Sequence, residues 1–337
     1  MLQPFLPKTK EENVVQRDII KYIQERIMGW SQHATIIAGR FGCGKTVALE
    51  EALRNMQGVY VHTVEGSGWK KELYAVLGLD DEEMFRKVLE KIRQKLNKPP
   101  VLVLDIPRST KEGMDSISSF AKTFSSEGSL AHARTRRLSR RVLLGCGRVF
   151  ASCPAEVIVC ASSAAMAMAF DAGGSSRQRS IWVGDLTEED AGKLLTNHGH
   201  ADKKDEFLGA CGLNALELVD ACERYAKDGE EALVAKKAEM EERARVEVQR
   251  FKNQCKVDGP TGHHILKKLR DNRDANNGQG AEELCTAAFP KDVAVWIREK
   301  DCHPVIWHMV KREYQFASEL HAQAAHEIVD RPPQSSA

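Results

Sequence analysis

A short glycine-rich run has the residue types and the spacing that bind a polyphosphate. The run 39–46 reads Gly-Arg-Phe-Gly-Cys-Gly-Lys-Thr and matches the pattern G-x-x-x-x-G-K-[ST] at every fixed position. Glycine allows such a loop to turn its backbone N–H groups towards the phosphates, because it tolerates conformations and close approaches that other residues do not. Lys45 would place its charge between the β- and γ-phosphates, and the Thr46 hydroxyl would bind Mg²⁺. The predicted nucleotide contacts come from consecutive residues: Gly39, Arg40, Phe41, Gly42, Cys43, Gly44, Lys45, Thr46 and Val47.

A second candidate for metal chemistry lies about sixty residues further along the chain. The apolar run 101–104 ends at Asp105, whose carboxylate could hold the coordination shell of Mg²⁺. An aspartate after a strand is weak evidence by itself, because turns often begin there. Together with the glycine-rich loop, it predicts a magnesium site made by Thr46 and Asp105.

The elements that must position these residues alternate between strand and helix patterns. Predicted strands cover 34–38, 59–63, 101–105, 157–161 and 180–183. Predicted helices cover 14–27, 47–55, 69–77, 84–96 and 111–124. Such alternation predicts a parallel sheet covered by helices on both faces.

The segment after the fifth strand predicts a set of further helices. Thr187 and Asp190 form a capping box at the start of one of them. The order of parts over residues 12–225 resembles the AAA+ and STAND branch of P-loop ATPases, especially the archaeal-type ATPases. In that branch, a segment similar to 186–191 leads into a helical lid, and Gly212-Leu213-Asn214 is similar to the Gly-Gly-Asn-Pro turn of the lid. The second glycine and the proline of that turn are missing here.

The resemblance implies a fold and a set of roles. It implies a three-layer α/β P-loop NTPase with a parallel five-stranded sheet, a helical lid and a small helical or winged-helix-like domain at the carboxyl end. ATP and Mg²⁺ are the implied cofactors, with Lys45 on phosphate and Thr46 and Asp105 on Mg²⁺. The implied catalytic set adds a sensor at Ser162 or Ser163 and a charge-stabilising arginine at Arg177 or Arg179. Either arginine could equally be a solvated loop residue.

The residue after Asp105 departs from the pattern of the branch. Many members place there a glutamate that polarises the attacking water, whereas this chain continues with Ile106 and Pro107. A nucleoside triphosphatase without its water-positioning group binds tightly and turns over slowly. We therefore expect slow hydrolysis or a switch held by nucleotide.

A basic insertion separates the predicted helix at 111–124 from the fourth strand. Residues 125–154 exceed the usual length of such a connection and contain Arg134-Thr135-Arg136-Arg137-Leu138-Ser139-Arg140-Arg141. The run could bind nucleic acid or close over phosphates as a lid. It lacks neighbouring aromatic residues that would stack on bases, so we prefer a surface insertion.

The last third of the chain has a different composition. Residues 228–251 form a charged helical stretch with a thin apolar stripe at Leu233, Val234, Met240 and Val246, which favours an exposed linker helix over a coiled coil. Trp296, Trp307, Tyr314 and Phe316 are predicted core residues of the domain that follows. The tail from residue 331 is rich in Pro and Ser and is predicted to be disordered.

Overall composition fits a soluble, enzyme-like protein. The 49 basic residues balance the 48 acidic ones, so net charge indicates no polyanionic partner. The sequence shows neither a secretory signal nor an apolar stretch of membrane-spanning length, and an intracellular location, cytoplasmic or nuclear, is the default expectation. Nine cysteines include no C-x-x-C pair. Cys43 lies beside Lys45 at a helix start, which predicts modest redox sensitivity unless it is simply a tolerated small residue.

These observations define domains and a function. Expected parts are a helical lead-in (1–30), a nucleotide-binding core (31–184), a lid (185–227), a mostly helical domain (228–330) and the tail (331–337). We expect Mg²⁺-dependent ATP binding and slow hydrolysis that control a switch for a protein partner or for self-association. Two alternatives are a phosphotransferase with an arginine-rich lid and a non-enzymatic module that binds protein or nucleic acid. Adenine follows from the resemblance alone.

Overall fold

The computed structural model describes residues 1–29, 33–107, 114–125, 155–161, 178–253, 262–275, 304–308, 310–311 and 313–330. The described residues divide into two compact units. The first unit holds 1–38, 45–161 and 178–181, and the second holds Gly39–Gly44 and the residues from Trp182 onward. The basic run at 134–141, Trp296 and the tail lie outside the described residues.

A five-stranded parallel sheet forms the centre of the first unit, as the sequence predicted. Its strands run in the order β2-β3-β4-β1-β5. They are β1 (Ala34–Gly39), β2 (Val59–Thr63), β3 (Val101–Ile106), β4 (Glu156–Ala161) and β5 (Gln178–Val183). Every residue of β1 and of β4 is buried, which is typical of strands covered on both faces.

Five helices pack around this sheet. They are α1 (Asp18–Met28), α2 (Lys45–Ala52), α3 (Trp69–Val76), α4 (Glu82–Leu96) and α5 (Met114–Ser125). The start of α1 differs from the prediction, because Val14 is extended and buried ahead of the helix. Trp69, Phe85 and Phe120 lie in one aromatic cluster, with 5.0 Å between the ring centroids of Trp69 and Phe120.

Six helices and a hairpin make up most of the described part of the second unit. The helices are α6 (Glu188–Asn197), α7 (Lys204–Cys211), α8 (Ala215–Asp228), α9 (Glu230–Lys252), α10 (Gly262–Ala275) and α11 (Glu319–Val329). Strands β6 (Val305–His308) and β7 (Glu313–Phe316) pair antiparallel. The Thr187 hydroxyl accepts a hydrogen bond from Asp190 N at 3.0 Å, so the predicted cap of α6 is confirmed.

The interpretation of α9 as an exposed linker is wrong. This helix packs against α7, α8, α10 and α11. Val234 and Val246 of the predicted stripe are 72% and 42% exposed, while Lys236 is 2% exposed. The buried residues of α9 lie only partly on the predicted stripe: Ala232, Leu233, Lys236, Ala244, Val248, Phe251 and Lys252.

The described part of the chain contains no helix with both the length and the apolarity that crossing a bilayer requires.

Candidate functional site

Lys45 and Thr46 occupy the first two positions of α2 in the first unit. The Lys45 side chain is buried, at 5% exposure, whereas Thr46 is exposed. A buried ammonium is costly unless negative charge compensates it. The Lys45 charge is only a minor influence on the pKa of Asp105, which burial raises. The predicted phosphate lysine and the predicted metal aspartate thus belong to the same unit, the first on α2 and the second on β3.

Asp105 lies near the carboxyl end of β3, opposite Thr63 on β2 and Cys160 on β4. Burial raises the pKa of Asp105, and this effect exceeds the opposing attraction of Lys8 and Lys45 and the hydrogen bond with Cys160. A divalent cation beside this carboxyl would restore the preference for its ionised form.

Glu50 is an acidic neighbour of this pair that sequence reasoning missed. It is buried on α2, one turn after Thr46, and accepts a hydrogen bond from Lys8 N at 2.8 Å. Its charge raises the pKa of Asp105. The available signal was an acidic residue four positions after Thr46, on the same helix face.

Gly39, the first residue of the loop, and Cys43 both contact the end of β5, and all of these residues belong to the second unit. A side chain at Gly39 would collide with the Val183 carbonyl oxygen. The Cys43 thiol is fully buried and donates to that same carbonyl at 3.2 Å. This burial supports the alternative that Cys43 is a packed small residue, because a reactive thiol needs exposure.

The start of α8 holds the middle of the loop. Asn214 Nδ2 donates to Phe41 O at 2.9 Å, and Leu216 N donates to Gly42 O at 3.0 Å. Asn214 also caps α8, since its Oδ1 accepts from Glu217 N at 3.3 Å. Gly42 has a φ of +80°, a conformation that favours glycine. The sequence placed Asn214 in a lid turn without indicating that it contacts the loop.

The Arg40 guanidinium is ion-paired with the Asp185 carboxylate at the end of β5. Both side chains are about one-fifth exposed, at 21% and 24%. Asn214 Nδ2 lies 3.4 Å from the other Asp185 oxygen. Arg40 was predicted to contact nucleotide, whereas in this structure its guanidinium pairs with Asp185, which the sequence analysis did not single out.

A cavity of about 740 Å³ lies inside the second unit. Its lining includes Arg40, Asp185 and Asn214 at one side and residues of α9, β7 and α11 elsewhere. The residues that hold the loop thus face a space shared with the carboxyl-terminal elements of the same unit.

The other predicted side chains of the site are either exposed or outside the described part of the chain. Phe41 and Val47 are 53% and 36% exposed. Arg179 is exposed on β5, and its charge lowers the pKa of Arg26 after the larger effect of burial. Ser162, Ser163 and Arg177 lie outside the described residues.

Several solved structures resemble this chain. No family model matches the chain, and no curated protein matches its sequence. A Walker-type ATPase of Pyrococcus abyssi is 13% identical, with a TM-score of 0.57, over 97% of this chain and 100% of that one. AMPPCP-bound DnaA from Aquifex aeolicus is 13% identical over 88% of each chain, with a TM-score of 0.39.

Hsp104, determined in a closed state with ATPγS and casein, is 12% identical over 84% of this chain and 50% of that one, with a TM-score of 0.37. Of these three, the Pyrococcus protein alone has a TM-score that indicates a shared fold. Together with the parallel sheet, that similarity confirms the predicted α/β architecture. The chain has the fold of a P-loop NTPase of the Walker type.

Proposed function

We propose that this protein binds ATP with Mg²⁺ and hydrolyses it slowly, as a nucleotide-controlled switch of the AAA+ and STAND type. The observation that carries the proposal is the run 39–46, which matches the phosphate-binding pattern at every fixed position and places Lys45 and Thr46 at the start of α2. The fold shared with a Walker-type ATPase supports it.

The residues fit a magnesium nucleotide. Lys45 would contact the β- and γ-phosphates, and the exposed Thr46 hydroxyl and the Asp105 carboxylate would hold Mg²⁺. The positive φ of Gly42 and of Gly44 suits a loop that turns successive N–H groups to one side. The bound ion would supply charge neutralisation at the phosphates.

Slow hydrolysis is proposed from the residue that follows Asp105. Ile106 is fully buried and apolar, so it offers no group that polarises a water molecule. Ser162 and Arg179 remain proposed members of the catalytic set on the basis of the family resemblance.

The role as a switch is proposed from the arrangement of the second unit. Residues 39–44 of the loop share that unit with the helices α6–α11 and the hairpin. A change of loop conformation on nucleotide binding would therefore act on elements that can carry a protein partner or mediate self-association.

Single-turnover measurement of phosphate release from Mg-ATP tests the enzymatic part of this proposal. Wild type should bind ATP and release phosphate slowly, whereas Asp105→Asn should lower Mg²⁺-dependent affinity and release. Asp80→Asn is a matched control, since Asp80 is an exposed carboxylate ahead of α4. Equal release by wild type and Asp105→Asn would refute the assigned role of Asp105.

A further inference from the structure

Two successive carbonyls of the phosphate-binding loop receive hydrogen bonds from the start of α8. Phe41 O accepts from the Asn214 side chain at 2.9 Å, and Gly42 O accepts from Leu216 N at 3.0 Å. All four residues belong to the second unit, and Asn214 is 5% exposed. Each bond fixes the orientation of one peptide plane of the loop.

Fixed peptide planes determine where the loop N–H groups point. No peptide bond of the described chain is cis, so each N–H points opposite to the carbonyl of its own peptide group. The N–H groups of Gly42 and Cys43 therefore point away from α8. Cys43 N also donates to Arg40 O at 3.5 Å, within the loop itself.

The position of α8 is itself stabilised by α9. Glu217, in the first turn of α8, lies 2.6 Å from Lys236 Nζ and accepts two hydrogen bonds from the Arg243 guanidinium at 3.0 and 3.2 Å. Asp220, one turn later, lies 2.6 Å from the same Lys236 Nζ. The donors that hold the loop thus belong to a helix that is anchored by buried charge.

We propose that Asn214 is a positioning residue for nucleotide binding, because it orients the loop amides that receive the phosphates and links them to α8 and α9. The inference rests on the proposed nucleotide binding. Capping of α8 uses only the side-chain oxygen of Asn214. The hydrogen bond from its Nδ2 to Phe41 O is therefore not explained by capping.

Two variants separate these roles. Asn214→Ser keeps an oxygen that caps a helix but removes the amide donor to Phe41 O. Thr187→Ala is the matched control, because it removes the cap of α6, the hydroxyl that accepts from Asp190 N at 3.0 Å. The Thr187 hydroxyl has no described contact with the loop. We expect Asn214→Ser to weaken Mg-ATP binding about five- to tenfold with little change in melting temperature. Thr187→Ala should lower the melting temperature and leave Mg-ATP affinity unchanged.

Hydrogen exchange in the nucleotide-free protein makes the inference testable even if the proposed function fails. The Leu216 amide and the loop amides 42–44 should exchange faster in Asn214→Ser than in wild type or in Thr187→Ala. Unchanged Mg-ATP affinity in Asn214→Ser would overturn the inference. If wild type binds no nucleotide, the proposed function fails, and unchanged exchange would then overturn the positioning role separately.

Discussion

Arg40 of the phosphate-binding loop is ion-paired with Asp185, which follows β5. The two residues are 145 positions apart in the sequence and about one-fifth exposed. A pair in this environment is only partly screened by water, so it couples the loop to the segment that leads into α6.

We predict a measurable coupling between Arg40 and Asp185. In a double-mutant cycle of Arg40→Ala and Asp185→Ala, the free energies of unfolding in urea should differ from additivity by about 1 kcal/mol. The coupling should shrink in high salt. Additive effects at low salt would show that the pair contributes nothing to the stability of the loop.

Gly42→Ala should disturb the loop more than its backbone conformation alone explains. A left-handed residue other than glycine costs about 1–2 kcal/mol. Gly42 has a φ of +80°, and a Cβ there would also collide with Asn214 Oδ1. Gly199→Ala is a matched control, because Gly199 has a φ of +81° with nothing within 4 Å of the added carbon.

Thermal unfolding and Mg-ATP affinity of both variants decide this prediction. Gly42→Ala should show the larger loss of stability and a loss of affinity, whereas Gly199→Ala should show only the backbone cost. Identical behaviour of the two variants would mean that the contact with Asn214 is not constraining.

Lys236→Met should be strongly destabilising. The Lys236 side chain is 2% exposed and its Nζ lies 2.6 Å from both Glu217 Oε2 and Asp220 Oδ2. Removal of the buried ammonium leaves Glu217 and Asp220 with only their more exposed partners Arg243 and Arg224, at a cost of about 2–3 kcal/mol. Lys237→Met, at an exposed position on the same helix, should have little effect on the urea midpoint. A stable Lys236→Met protein would show that α8 and α9 are held by apolar packing alone.

Stability should fall as pH rises because of Glu156 at the start of β4. This side chain is 2% exposed, and burial raises the pKa of its carboxyl to about 8 from 4.5, against the attraction of Arg26. The folded state thus binds more protons than the unfolded state between those values. The stabilisation that Glu156 contributes to the folded state is complete below pH 4.5 and is lost as pH rises through 8.

Urea unfolding between pH 5 and pH 8.5, about the window that the two pKa values define, checks this effect. Wild type should lose stability across the range, on the order of 1 kcal/mol or more, and Glu156→Gln should show a flatter profile. Glu90→Gln, at an exposed position of α4, should retain the wild-type slope. Parallel profiles for wild type and Glu156→Gln would contradict the raised pKa.

Sequence reasoning predicted the elements whose patterns are local. The strand 101–105 and the loop at Gly39–Gly44 are each specified by neighbouring residues, and the structure places the strand in the expected parallel sheet. The capping role of Thr187 was equally readable, because its partner Asp190 is three residues away.

The contacts that hold the loop were not predictable in the same way. Asn214 and Phe41 are 173 residues apart, and nothing in either local pattern indicates the other. The packing of α9, which was interpreted as an exposed linker, was missed for a related reason, since the partners of Lys236, Glu217 and Asp220, lie on a different helix. Tertiary pairing of polar residues is decided by the fold rather than by local periodicity.

The most direct test of the central claim is calorimetric titration of wild type, Lys45→Ala and Lys87→Ala with ATP in the presence and absence of Mg²⁺. Lys87 is an exposed lysine of α4 and provides the control for loss of a positive charge. We predict Mg²⁺-dependent binding by wild type and by Lys87→Ala, with affinity lowered at least about tenfold in Lys45→Ala. Equal affinity in all three proteins, or no binding by wild type, would contradict the account.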